Sequence, residues 1–306
     1  MTEHVLAAID GSQFAEGVCD YAAWASLALG APLSFVHVVD NHSWAPEEQN
    51  LSGSLRFGAR EKLMEELSAL DEQRARVNRE QGKLMLEAAK ARAVEDGVSS
   101  PTTRQLNGTL VETLVELEKD VRLLVVGKRG ETAHQASGHL GANLERVVRE
   151  MHRPILMVPK AFQRPEKVLI AFDGSQTARK GVEMLARSPL FAGATCHVLI
   201  VGAETAEHRS ELAWALNTLR EAGHHAEGAI RAGEVDDALQ AYEQESGIDL
   251  LVMGAYGHSR IRHLLVGSTT TAMLRSSRLL LSSARMQVFL MRSDPCSRGH
   301  GTQVGP

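Results

Sequence analysis

Three glycines and two hydroxyl residues towards the end of the chain have the types and spacing to hold phosphate. Gly254 and Gly257 lie three apart, nine residues follow, and Gly267, Ser268 and Thr269 come next. Glycine turns through positive φ and lets the backbone approach a ligand with no Cβ in the way. Ser268 is placed to cap the helical pattern "STTTAMLRSS", whose first amides would have no internal partners. Those amides and the helix dipole favour a nearby anion by up to ~2 kcal/mol in a partly buried geometry. Two backbone segments of this kind can grip a di- or triphosphate from two sides. Far upstream, Asp173 in "VLIAFDGS" offers a carboxylate to ribose hydroxyls or an adenine amino group. Each feature alone has a plainer reading. The glycines would make a turn, and Asp173 and Ser175 would cap a helix. His258, Arg260, Arg262 and His263 fit a solvated loop face, and Tyr256 an ordinary surface aromatic. The case for phosphate rests on the conjunction.

The elements that must position these residues appear twice. "HVLAAIDGSQFA" at 4–15 matches "KVLIAFDGSQTA" at 167–178, and "GAPLSFVHVV" at 30–39 matches "GATCHVLIVG" at 193–202. "NGTLVETLVE" (107–116) matches "AGEVDDALQA" (232–241), and "VRLLVVGKRG" (121–130) matches "IDLLVMGAYG" (248–257). Four blocks in one order predict two copies of a single domain, 1–160 and 165–292, followed by a Gly/Pro/Ser-rich tail at 293–306 predicted to be disordered. Short apolar runs read as strands buried on both faces: Val5–Ile9, Leu33–Val39, Thr102–Leu106, Leu123–Val126 and Ile155–Val158. Their counterparts are Val168–Phe172, Cys196–Val201, Ala226–Arg231 and Leu250–Met253. Helical patterns lie between them, so the expected fold is α/β, two tandem doubly wound domains. In such a sheet ligands bind beyond the carboxyl ends of the strands, where strand order reverses. There the loops after strands one and four meet, and these carry Asp173 and the glycines. The copies differ at about 41–80, where the first carries extra Glu, Arg and Leu residues. That stretch reads as a loop plus an elongated, solvated helix.

"GAYGHSRIRHLLVGS" is similar to the nucleotide motif of the universal stress protein (UspA) family, and "VLIAFDGS" resembles that family's first strand. The resemblance covers nearly the whole chain. It implies a five-stranded, mostly parallel sheet in each domain, joined through the last strands as a pseudo-dimer within one chain. It also implies ATP or AMP in the crevice, with Mg accompanying ATP. Carried over by position, Gly254, Gly257, Gly267, Ser268 and Thr269 would hold phosphates. Asp173 would meet the nucleoside, Ala171, Phe172 and Met253 would line it, and Val201 would contact adenine through its backbone. The first copy departs from the motif. After Gly127 and Gly130 come ten residues, not nine, before Gly141, and Ala142 replaces the hydroxyl residue. Asp10 and Val38 persist, so this copy reads as a weak or vestigial second site; Lys128 and Arg129 could still attract an anion. The second copy departs at its end. The proline before strand five is missing and residues are added, which leaves "RLLL" or Gln287–Met291 as that strand, with the latter expected.

Composition narrows the classes further. Hydrophobic residues make up 43% of 306 residues, and net charge is −5 with signs well mixed. Neither DNA nor RNA is expected as a partner. No apolar run approaches the ~18 residues a membrane span needs, and the first residues lack the pattern of a signal peptide. Cys19, Cys196 and Cys296 are far apart, with no CxxC. That fits a reducing cytoplasm, with Cys196 as a small buried hydrophobe. Three functions remain in view: a nucleotide-binding stress sensor, a Mg-dependent ATPase or nucleotidyl-transfer enzyme, and a nucleotide-free scaffold. No Walker lysine and no carboxylate pair for magnesium appears, which favours the sensor. Monomer and homodimer both stay open.

Overall fold

Strands of four to seven residues alternate with helices along most of the chain, in a computed structural model that describes residues 3–39, 57–128, 142–254 and 279–283. In the first half β1 (His4–Ala8), β2 (Leu33–Val39), β3 (Thr102–Asn107), β4 (Val121–Gly127) and β5 (Ile155–Val158) form the sheet. Helices α1 (Ala15–Leu29), α2 (Phe57–Glu95), α3 (Leu110–Leu117) and α4 (Ala142–Glu150) cover it. The second half repeats the scheme with β6 (Lys167–Ala171), α5 (Gln176–Arg187), β7 (Thr195–Val201), α6 (Ala206–Glu221), β8 (His225–Arg231), α7 (Val235–Ser246), β9 (Leu250–Gly254) and β10 (Leu279–Ser283). The doubly wound α/β arrangement is the one expected from the alternation of β and α patterns.

All ten strands join one sheet in the order β3-β2-β1-β4-β5-β10-β9-β6-β7-β8. Pairing is parallel within each half. The halves meet where β5 and β10 pair antiparallel, with Leu156 opposite Leu281. One expectation is corrected here. The strand between β9 and β5 is Leu279–Ser283, not Gln287–Met291, which lies outside the described residues. Register decides: Leu279–Ser283 matches β9 over five residues on one side and β5 on the other. The tail at 293–306 and residues 40–56 of the inserted stretch also lie outside the described residues. From Phe57 that stretch is a single helix of 39 residues.

Alternate residues of the inner strands β1, β4, β5, β6 and β9 enter two separate cores. Val5 and Ala7 pack with α1, α2, α5 and α6 on one face, while Leu6 packs with α3, α4 and α7 on the other. That two-residue period, with both faces covered, explains why the strands read as unbroken apolar runs. Both cores continue through the second half, where Val168 and Ile170 join the first and Leu169 joins the second. Cys19 and Cys196 lie in the first core, and burial pushes both thiols up to about 12, so neither is a reactive thiolate.

The segment between the halves is packed rather than loose. Gly17 on α1 lies so close to it that a Cβ would stand 2.1 Å from the Pro159 carbonyl oxygen. The Tyr21 hydroxyl donates to the Gln163 carbonyl at 3.0 Å and accepts from the Gln163 amide at 3.2 Å. Phe162 meets the Tyr21 ring edge-on at 4.7 Å.

Candidate functional site

Strand order reverses twice, between β1 and β4 and between β6 and β9. In the second half the ladder pairs Ala171 with Leu199, and the Phe172 amide donates to the Leu199 carbonyl at 2.9 Å. Two steps further along each strand come Asp173 and Val201. Across the reversal, Ile170 pairs with Val252, which brings Ala171 beside Met253 and the chain end of β9 at Gly254. Ala171 and Met253 are buried in the core shared with α7, whereas Phe172 enters the opposite core. Six of the ten expected residues therefore gather at one end of the sheet: Ala171, Phe172, Asp173, Val201, Met253 and Gly254. Gly257, Gly267, Ser268 and Thr269 lie outside the described residues.

Local chemistry fixes the loop that carries Asp173. Its Oδ1 accepts the Ser175 amide at 3.1 Å, a turn that aspartate side chains form readily. Ser175 Oγ then accepts the Ala178 amide at 3.2 Å and caps α5. The capping reading of these two residues is thus correct as far as it goes. Between them Gly174 has φ 72°, and a Cβ there would stand 1.7 Å from a Glu211 carboxylate oxygen.

Glu211, on α6, belongs to a cluster that no sequence pattern marked. Arg179 Nη2 donates to Glu211 Oε1 at 3.3 Å, and Arg179 Nε donates to the Gly174 carbonyl at 3.2 Å. The guanidinium lies 4.5 Å from the centre of the Trp214 ring, which stacks on Phe172 at 6.0 Å and 18°. Cation–π contact and the ion pair together hold the Asp173 loop from behind. Glu211 and Trp214 are three apart on α6 and so share a face. That spacing is the only signal the sequence offered; nothing in it pointed to Arg179.

The first half builds the same frame and finishes it differently. Asp10 Oδ1 accepts the Ser12 amide at 3.1 Å, and Ala8 pairs with Val126, which places Gly127 level with Ile9. Val38 is half-buried at the end of β2. His37 Nδ1 donates to the Ile9 carbonyl at 3.0 Å, where the second half has the apolar Ile200. Gly130 and Gly141 lie outside the described residues. Burial lowers Lys128 to about 8, and the Glu243 carboxylate on α7 of the second half partly opposes that shift. Lys128, expected to attract an anion, is half-buried here. Its amide donates to the Val158 carbonyl at the end of β5. Among the described residues no group of three His, Cys, Asp or Glu side chains is placed to hold a metal ion. Nor, among them, is any helix long and apolar enough to cross a membrane.

Comparison with known proteins agrees with this architecture. The model of the universal stress protein family matches residues 1–159 and 199–279. Over 278 residues the chain is 39% identical to the universal stress protein Slr1230 of Synechocystis sp., covering 90% of this chain and 97% of that protein. It is 28% identical over 185 residues to the universal stress protein Rv1996 of Mycobacterium tuberculosis, covering 59% of this chain and 56% of the relative. Among solved structures, a universal stress protein from Archaeoglobus fulgidus superposes with a TM-score of 0.67 at 17% identity, over 92% of this chain and 98% of that one.

Proposed function

As the chain belongs to the universal stress protein family, we propose that its second half, 165–292, binds an adenine nucleotide and serves as a stress-response sensor or regulatory module in the cytoplasm. One observation carries this reading. Asp173, Val201, Met253 and Gly254 converge where strand order reverses, and Gly254 opens the Gly-x2-Gly-x9-Gly-Ser sequence. An α/β sheet binds its ligand at that point. Asp173 takes the nucleoside hydroxyls, and the Val201 backbone faces adenine. Gly257, Gly267, Ser268 and Thr269 supply backbone amides and hydroxyls to the phosphates of ATP or AMP. With ATP, Mg accompanies the phosphates and is held through them rather than by a protein carboxylate cage.

The first half, 1–160, is a scaffold in this reading. Its loop is one residue longer and it lacks the hydroxyl at Ala142. Turnover, if any, is slow, because no base is poised to activate water among the residues named. Isothermal titration with ATP and with AMP tests the proposal. One site per chain is expected. Heat indistinguishable from dilution at millimolar nucleotide would exclude it.

A further inference from the structure

The two halves carry the same tetrapeptide, Asp-Gly-Ser-Gln, at 10–13 and at 173–176, and fold it differently. In the first half α1 begins only at Ala15, after an N-cap at Phe14 that makes no side-chain capping bond. Ser12 Oγ accepts the Phe14 amide, two residues on, at 3.3 Å. In the second half α5 begins at Gln176, which matches Gln13, and Ser175 Oγ reaches the Ala178 amide. Gly174 takes a left-handed φ of 72°; Gly11 does not. The tetrapeptide is identical, so the difference comes from the residues around it.

Those residues differ most at one matched position, where Arg179 stands against Glu16. Each joins its helix to the next by an ion pair, with the signs exchanged. Arg179 on α5 meets Glu211 on α6, whereas Glu16 on α1 meets Arg92 on α2 at 3.7 Å. The exchange matters because a guanidinium donates and a carboxylate only accepts. Arg179 bonds the Gly174 carbonyl through Nε while Nη2 holds Glu211. Glu16, as a carboxylate, has no proton to give the Gly11 carbonyl. Glu211 in turn fills the space beside Gly174 where a Cβ would stand. On the other side of Asp173, the Phe172 ring stacks on Trp214, and Trp214 carries the Arg179 guanidinium on its face. The residues before and after Asp173 are thus tied to one cluster. Ile9 takes the place of Phe172 in the first half and has no ring to stack.

We infer that Arg179 and Glu211 are positioning residues that set the Asp173 carboxylate for the ribose hydroxyls, and so govern the preference for nucleotides that carry those hydroxyls. The inference rests on the reading that the second half binds an adenine nucleotide with Asp173 at its nucleoside. A carboxylate held in place beforehand binds more tightly than one that must be ordered on binding. Two ligands separate this role from general support of the fold: ATP, and 2′,3′-dideoxy-ATP, which offers Asp173 no hydroxyl. Titration calorimetry on the wild-type chain should find ATP bound about tenfold more tightly or better. Arg179→Gln should weaken ATP by about tenfold and leave 2′,3′-dideoxy-ATP within about twofold, so that the preference collapses. Glu211→Gln keeps the Arg179 bond to Gly174 and should move the preference the same way by less. It decides the matter if circular dichroism shows Arg179→Gln misfolded. Arg92→Gln breaks the matching link in the first half and should leave both affinities unchanged. Equal weakening of both ligands in the Arg179 variant, or an intact preference there, overturns the inference while the nucleotide reading stands. So does a wild-type chain that binds the two ligands equally. A wild-type chain that binds neither ends both.

Discussion

Gly174 and Lys128 are the residues whose surroundings depart most from what their types lead one to expect. Gly174 needs φ 72° and has no room for a Cβ against Glu211. Gly174→Ala should therefore cost about 1–3 kcal/mol in denaturant unfolding. Combining it with Glu211→Ala removes the clash and leaves the backbone strain, so the double variant should recover part of the loss. Lys128 carries a different signature. Its amine binds protons more weakly when folded, near 8 against 10.5 for an ordinary lysine. Between those values the unfolded chain holds the extra proton, so stability should rise with pH through that window. Lys128→Met should remove this rise; an unchanged slope would place the lysine in water. At this scale the sequence was legible where chemistry is local. Asp173, Ser175 and Asp10 sit in the turns and caps their types favour, each bonding two or three residues on. Arg179 with Glu211 was illegible, because the pair joins segments that only the finished fold brings together.

The inner strands were the most readable elements, since both their faces are covered and their runs stay largely apolar, unlike the polar edge strands β3 and β8. The fifth strand of the second half shows where that reading fails. "RLLL" and "MQVFLMR" both suit a buried strand, and choice between them belongs to β9 and β5, whose registers accept Leu279–Ser283. Helix α2 was legible as long and charged, and its junction with the body at Gly82 was not. Packing between α1 and the interdomain segment gives a prediction of its own. A Cβ at Gly17 meets a backbone oxygen at 2.1 Å, and a backbone atom cannot step aside as a side chain can. Gly17→Val should cost about 1–3 kcal/mol, measured by urea unfolding. A neutral outcome would mean that residues 159–164 do not need their place on α1.

Across the whole molecule, two α/β units share one ten-stranded sheet and two continuous cores. Their repetition was visible in four matched sequence blocks; the antiparallel junction was implied only by the family resemblance. The departures of the first copy from the motif marked an asymmetry within that repetition. The same reversal of strand order occurs in both halves, yet His37 bonds the Ile9 carbonyl in the first half where the second has the apolar Ile200. That asymmetry is the centre of the account, and paired glycine variants test it most directly. Calorimetric titration of ATP into Gly257→Leu, Gly130→Leu and the unmodified chain should find one site in the unmodified chain, the same site in Gly130→Leu, and none in Gly257→Leu. Two equal sites in the unmodified chain, or equal loss in both variants, would contradict it.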